Sequence, residues 1–199
     1  MTSSNDRHHF PELTEAEKIR WRATHSDMKA MSEGLQTGDT TRENIRGALN
    51  RLTSHSIAHD TLINALHIPP DAGPYADALE QILRRIPDGW GRWISHDAGW
   101  YPIVTSLDKR LAALDPHYTV HQVKEKFGTL RYYAKPSGEP TPAQWESFKR
   151  PIQNAERASA ATCELCGAPG RLHKRTHQLK TLCPACADTH GYHAAPTRR

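Results

Sequence analysis

The chain has 199 residues, a formal net charge of +4 and 37% hydrophobic residues. This length can form one core domain with a small appendage, and so modest a net charge argues against disorder of the whole chain. There is no run of roughly 20 apolar residues to span a membrane, and the N-terminal stretch MTSSNDRHHFPEL lacks the apolar core of a signal peptide. The sequence therefore predicts a cytoplasmic protein with no membrane contact.

The N-terminal part of the chain predicts helices. Thr14 with Glu17 and Thr40 with Glu43 both form the capping-box pattern. Apolar residues at helical spacing follow the second pattern, and the stretch IAHDTLINALHIPP predicts a further helix. We expect residues 1–70 to form an N-terminal helical region with a disordered start.

A central α+β domain is expected over residues 71–158. Stripes of apolar residues predict one helix that ends before Pro87 and another from Trp100 to Leu114. The turn-rich segment DGWGRWISHDAGWYP carries three tryptophans. Because each buries a large area, we expect them in the core rather than at a ligand platform.

Another helix follows the segment AKPSGEPTP, which reads as a connector. Thr141 is expected to cap this helix and Pro142 to open it. Pro151 is expected to kink or divide it, because proline removes a backbone donor and its ring clashes with the preceding turn.

Between these helices, the stretch VKEKFGTLRYY (residues 123–133) predicts a β-hairpin. Glycine suits the first position of a two-residue turn, so Gly128 and Thr129 are expected to form the turn, with Phe127 opposite Leu130. Side chains of a strand alternate between its two faces. One face is then mostly apolar, with Phe127, Leu130 and Tyr132 buried, and the other carries Lys124, Lys126, Arg131, Tyr133 and Lys135.

The cationic side of this hairpin has two interpretations. In the predicted register Lys126 lies opposite Arg131, and a like-charge pair favours a bound anion such as a phosphate or an acidic protein. Alternatively, lysines on an exposed edge strand prevent sheet aggregation. Glu125, on the apolar side, either pairs with a cation or is a cleft carboxylate with a raised pKa.

All four cysteines fall in two C-x-x-C pairs, CELC and CPAC, separated by sixteen residues. This spacing is typical of a tetrahedral structural zinc site that leaves no open position for water. The sequence predicts one Zn²⁺ in a module over residues 159–192, followed by a disordered tail at 193–199. Its ligands would be Cys163, Cys166, Cys183 and Cys186.

Enzyme signatures are weak. The chain has neither the H-x-E nor the P-C-x-x-C of zinc deaminases, and it lacks H-E-x-x-H, G-x-S-x-G and a phosphate-cradling glycine loop. His173 and His177 lie between the cysteine pairs, without the Asp-His pair that an HNH-type nuclease would need. No catalytic residue is predicted.

Three segments taken together, DAGWYPIVTSLDKRL, VKEKFGTLRYY and TCELCGAPGRL with TLCPACADTH, resemble a set of small bacterial and phage-encoded proteins. These proteins pair a K-E-K-F-G-x-L-R-x-Y segment with a C-terminal zinc knuckle, and the resemblance covers residues 88–190. They often have histidine where this chain has Cys186. The resemblance implies no particular activity, and it leaves the N-terminal helices aside.

The sequence thus predicts an α+β protein in which helices cover a small antiparallel sheet, with an N-terminal helical region and a C-terminal treble-clef-like zinc module. The leading hypothesis is a non-enzymatic binding protein whose hairpin and zinc module contact nucleic acid or an acidic protein. In a phage or mobile element, it would suit a regulator or an inhibitor of a host complex. The alternatives are a metal-dependent nuclease using Glu125 and histidine, and a structural adaptor that docks through its N-terminal helices.

Overall fold

The computed structural model describes residues 10–37, 41–54 and 58–195. The N-terminal region contains two helices that contact each other, α1 (Glu15–Thr37) and α2 (Arg42–Ser54). In the part of the chain that the structure describes, no helix is long and apolar enough to cross a membrane.

The first capping box is confirmed at the start of α1. The Thr14 hydroxyl accepts a hydrogen bond from the Glu17 amide at 3.3 Å, and the Glu17 carboxylate accepts one from the Thr14 amide at 2.8 Å. The second prediction fell on Thr40, which lies outside the described residues. At α2 the Thr41 hydroxyl accepts from the Asn44 amide at 3.2 Å.

The central domain places helices around a three-stranded sheet. Its elements, in chain order, are α3 (His59–Asn64), α4 (Ala76–Arg84), β1 (Ile94–Ser95), α5 (Tyr101–Leu114), β2 (Thr119–Lys126), β3 (Thr129–Lys135) and α6 (Pro142–Ser159). The strand order is β1-β2-β3. The β2–β3 pair is the predicted antiparallel hairpin, whereas β1 runs parallel to β2. The sheet is therefore mixed rather than purely antiparallel, because α5 forms the crossover that a parallel pair requires.

One face of this sheet packs on the helices. Its inward side chains include Val123, Leu130 and Tyr132, which join the residues of α4 and α5 in one apolar cluster. The Tyr132 hydroxyl contacts that of Tyr118 at 2.8 Å, and Tyr118 donates to Asp108 at 2.6 Å. The polar ends of the buried tyrosines are therefore satisfied inside the core.

Helix α6 lies against β3 and α5. Its capping box at Thr141 and its opening Pro142 are as predicted. Pro151 does not divide the helix, which continues to Ser159. Packing on two neighbouring elements offsets the donor that proline removes.

The tryptophans of the connecting segment do not all enter the core. Trp100 is fully buried, as expected, and Trp93 is half-buried. Trp90, in contrast, is 57% exposed. The prediction that all three fill the core is therefore wrong for Trp90.

The C-terminal part of the chain forms a small module of its own. A first cysteine turn precedes β4 (Arg171–Arg175) and β5 (Gln178–Leu182), and α7 (Pro184–Thr189) and β6 (His193–Ala194) follow. A knuckle, a hairpin and a short helix make the arrangement treble-clef-like, as predicted. The tail was predicted to be disordered from residue 193, but β6 pairs with β4 and extends the module's sheet.

Candidate metal centre and cationic sheet face

The four cysteines converge at one point of the C-terminal module. Cys163 and Cys166 lie in the turn before β4, Cys183 is the N-terminal cap of α7, and Cys186 lies in its first turn. Their sulfur atoms all lie within 4.8 Å of one another, and those of Cys166 and Cys183 are 3.7 Å apart. Four thiolates placed about 2.3 Å from a central zinc ion would be about 3.8 Å apart. The cysteines can thus hold a metal ion, and their spacing fits this geometry.

The local backbone supports a thiolate at Cys183. The Cys186 amide lies 3.4 Å from the Cys183 sulfur, and this N–H group, together with the neighbouring thiols, lowers the pKa of Cys183 to about 7, whereas burial and the same cluster raise the pKa of Cys186. Gly167 has a φ of 79°, a left-handed conformation that favours glycine, so the chain can turn tightly after Cys166.

The cysteine module, which follows α6 and covers residues 160–195, docks directly on the central domain. The Gly99 amide donates to the Glu164 carbonyl at 2.8 Å, and the indole N–H of Trp100 donates to the Thr162 carbonyl at 2.8 Å. A Cβ atom at Gly99 would overlap the carbonyl oxygens of Cys163 and Glu164. Glycine is needed there because the two backbones approach closely.

The module also contacts the end of the hairpin. The Thr181 hydroxyl donates to the Gly128 carbonyl at 2.6 Å. Next to this contact, the Leu130 amide of β3 donates to the hydroxyl of Ser159, the last residue of α6, at 2.8 Å. Leu172 of β4 fills the space where a side chain at position 128 would lie. We call these contacts, together with those of Gly99 and Trp100, the docking interface.

A buried ion cluster lies at this docking interface. The Lys180 ammonium contacts the Asp97 carboxylate at 2.6 Å and the Glu164 carboxylate at 2.9 Å. Burial disfavours the charged form of Lys180, but the negative charges of Glu164 and Asp97 outweigh this effect and raise the pKa of Lys180. Glu164 is only 1% exposed, and burial raises its pKa to about 7 against the attraction of Lys180. Lys180 therefore links the module to the segment before α5.

Glu125 belongs to the same neighbourhood. Its carboxylate accepts the Gly128 amide of its own turn. Burial raises its pKa, while that hydrogen bond and the charge of Lys180 oppose the rise. Of the two interpretations from the sequence, the raised pKa agrees with the second, and no salt bridge joins Glu125 to a cation among the described residues.

Glu125 does not belong to a group of side chains that could hold the metal ion of a nuclease, among the described residues. Among the described residues, the four cysteines are the one group of three or more histidine, cysteine or acidic side chains placed to hold a metal ion. His173 is buried, and its ring nitrogen Nδ1 lies 2.8 Å from the Arg171 carbonyl oxygen.

The hairpin register differs from the prediction. Phe127 and Gly128 form the turn, with φ values of 57° and 77°, so both central residues are left-handed as in a type I′ turn. Lys126 then pairs with Thr129, and the like-charge pair is Lys124 with Arg131. The expectation that Phe127 is buried opposite Leu130 is wrong, because Phe127 lies in the turn and is 66% exposed.

The predicted division into two faces nevertheless holds for the strands. The register moved by two residues, and two is the period of a strand, so no strand residue changed face. Leu130 and Tyr132 are buried, Lys126 and Lys135 are exposed, and Lys124 is half-buried. We call the open side of the hairpin, with the five predicted residues, the cationic face. Those residues are Lys124, Lys126, Arg131, Tyr133 and Lys135.

Arg131 differs from the other cations of the cationic face. Its guanidinium donates to the Thr129 hydroxyl at 2.7 Å and to the Leu130 carbonyl at 2.8 Å, and it lies 3.9 Å from the Glu156 carboxylate. The three lysines form no salt bridge within the described part of the chain. Arg131 is thus held by the fold, and the lysines carry the available charge.

Exposed aromatic rings accompany these lysines. Tyr133 is 44% exposed, with the Lys124 ammonium 5.6 Å from its ring centre, and the Lys126 ammonium is 5.3 Å from the ring centre of Phe127. Trp90 contacts His121 of β2, and the centres of these two rings are 4.5 Å apart. Sequence reasoning included Tyr133 and missed the exposure of the other two rings.

Three comparisons, with protein-family models, with curated proteins and with solved structures, found no match.

Proposed function

We propose that this protein is a non-enzymatic nucleic-acid-binding protein whose cationic face contacts phosphate groups. The observation that carries the proposal is the set of three lysines on the open side of the sheet without a carboxylate partner among the described residues. Glu125, the one acidic residue in the two hairpin strands, lies on the opposite face and is occupied by Gly128. Unpaired cations aligned on one surface attract a polyanion.

In this proposal the cysteine module supports the hairpin. It contacts the turn of the hairpin through Thr181, so it holds the end of the strands that carry the lysines. We propose Zn²⁺ as its ion, because four thiolates in a tetrahedral arrangement are typical of structural zinc. Elemental analysis of protein purified under reducing conditions tests this: one zinc per chain is expected, and none would contradict it.

Salt dependence tests the nucleic-acid proposal. Affinity for a labelled DNA oligonucleotide is measured from about 50 to 200 mM salt, where phosphate contacts give a steep linear loss on a log–log plot. Lys126→Ala with Lys135→Ala should reduce the slope by about 1 to 2, since each phosphate contact contributes about 0.7 to 0.9.

A charge-matched control is available on α5. Lys109 and Arg110 are exposed on the helix that covers the other side of the sheet, and Lys109→Ala with Arg110→Ala removes the same charge. Equal slopes in both double variants would contradict the proposal. Arg131 is left unchanged because its bonds within the sheet would mix binding with stability.

The remaining hypotheses give different results in the same assay. An acidic protein partner predicts binding of polyglutamate without binding of DNA, and an adaptor that docks through its N-terminal helices predicts no effect of either lysine variant. Divalent-dependent cleavage of the oligonucleotide would support a nuclease. A role as a phage or mobile-element regulator stays a prediction from the resemblance.

A further inference from the structure

We propose that the nucleic acid bound by the cationic face is single-stranded and that Trp90, Tyr133 and Phe127 stack on its bases. This inference rests on the proposed function and specifies its ligand. Folded proteins usually bury large aromatic rings, yet these three are exposed.

The contacts place two of the rings beside lysines of the cationic face. Tyr133 and Lys124 share that face, and the Lys124 ammonium lies over the Tyr133 ring. Lys126, on the same face, lies over the ring of Phe127 in the adjoining turn. The rings at both positions are therefore accompanied by a cation.

Trp90 extends the aromatic set at the other end of the hairpin. It contacts His121, which lies at the irregularity between Val120 and Gln122 of β2. The β2 residues that flank His121 pair with Ala134 and Tyr133 of β3, so His121 adjoins the cationic face and connects Trp90 to it.

The backbone conformation and the exposure of Phe127 give a separate indication that its ring contacts a ligand. Its φ of 57° is left-handed, a conformation that Gly, Asn and Asp adopt more readily than a bulky residue. The ring is also 66% exposed, so burial does not compensate for the strained backbone. A ligand that stacks on the ring would explain a phenylalanine at this position.

The exposed aromatic rings favour a single strand over a duplex. Tyr133 lies four residues along β3 from Thr129, about 13 Å, so the rings are far enough apart to meet different bases. Unpaired bases offer their faces to aromatic rings and their phosphates to lysines, whereas a duplex hides the base faces.

The test uses a labelled DNA strand of about 15 nucleotides, since aromatic single-strand sites cover about 4 to 16 nucleotides, and the same strand annealed to its complement. The single strand should bind at least about tenfold more tightly than the duplex at equal salt. Tyr133→Leu and Trp90→Leu should each weaken single-strand binding by about 5- to 150-fold. Tyr133→Phe and Trp90→Phe keep a flat ring and should retain most of the affinity.

The outcomes separate this inference from the function on which it rests. If strand and duplex bind equally, and the leucine variants bind like the phenylalanine variants while the lysine variants lose affinity, the stacking inference is overturned and nucleic-acid binding survives. If neither DNA binds, or only polyglutamate binds, both are overturned. Unchanged melting temperatures of the leucine variants verify that affinity, not folding, has changed.

Discussion

The docking interface and the cationic face use lysine in opposite ways. Lys180 is held between the carboxylates of Asp97 and Glu164 in a largely buried cluster, whereas Lys126 lies on an open surface with an aromatic ring beside it. A buried cation without its partners would be costly, and an exposed one contributes little stability. We therefore expect changes at the docking interface to alter folding and changes on the cationic face to alter binding.

The largest expected effect comes from removing the metal or one ligand. The apolar cluster of the cysteine module is small and includes two of the cysteines themselves, so we expect the module to depend on a bound metal ion. Zinc contributes on the order of 10 kcal/mol to folding in small peptides. Cys183→Ser should abolish hydrogen-exchange protection in β4 and β5 and leave it in α5. Protection of β4 and β5 in the metal-free variant would contradict this expectation.

Breaking the ion cluster should have the next largest effect. Lys180→Met leaves the buried carboxylate of Glu164 and the partly buried carboxylate of Asp97 without their cation, and the loss of a partner from a buried ion pair costs about 3 to 5 kcal/mol. Urea unfolding measures the difference. Lys109→Met on the exposed side of α5 is the control, expected within about 0.5 kcal/mol of the unchanged protein. Equal stability of the two variants would show that the cluster does not hold the module in place.

Adding a single methyl group where the two backbones touch should also lower the stability of the fold. Gly99→Ala places a Cβ against the carbonyl oxygens of Cys163 and Glu164, and overpacking of this kind costs about 1 to 3 kcal/mol. Gly138→Ala is the matched control, because no atom lies within 4 Å of a Cβ there. Thermal unfolding of both variants should show a loss for the first alone. A normal melting temperature for Gly99→Ala would mean that the two backbones can separate at no cost.

The smallest change in stability is expected at the turn of the hairpin. Phe127→Asn removes an exposed ring and introduces a residue that tolerates positive φ, so the free energy of unfolding should stay within about 1 kcal/mol of its original value or rise. Burial of Phe127, as the sequence suggested, would instead predict a loss of about 3 to 5 kcal/mol for its truncation to alanine. Leu130→Ala, at a fully buried position, is the comparison and should cost about 2 to 5 kcal/mol. Similar losses in the two variants would refute the observed register.

The sequence predicted what depends on local pattern. The cysteine spacing predicted the metal site because the ligands lie in two short turns. The alternation of VKEKFGTLRYY predicted which strand residues share a face. The turn itself was not predictable in this way, because a type I′ turn at Phe127 requires a positive φ that this residue type does not favour.

The docking interface could not be predicted from the sequence, for a different reason. Asp97 and Lys180 are 83 residues apart, and no local pattern relates them. Gly99 reads as one more glycine in a turn-rich segment until the opposing backbone of Cys163 is seen. Trp90 was assigned to the core on its size alone, but it lies on the surface and is 57% exposed.

Ultraviolet cross-linking of the protein to a single-stranded oligonucleotide, followed by mass spectrometry of the peptides, tests the central claim most directly. Aromatic side chains stacked on bases are the groups expected to cross-link, so the account predicts adducts on the segments that contain Trp90, Phe127 and Tyr133. Lys126→Ala with Lys135→Ala should reduce their yield, and the control variant at Lys109 and Arg110 should not. Cross-links confined to α1 and α2, or to the cysteine module, would contradict the assignment of the cationic face as the nucleic-acid-binding surface.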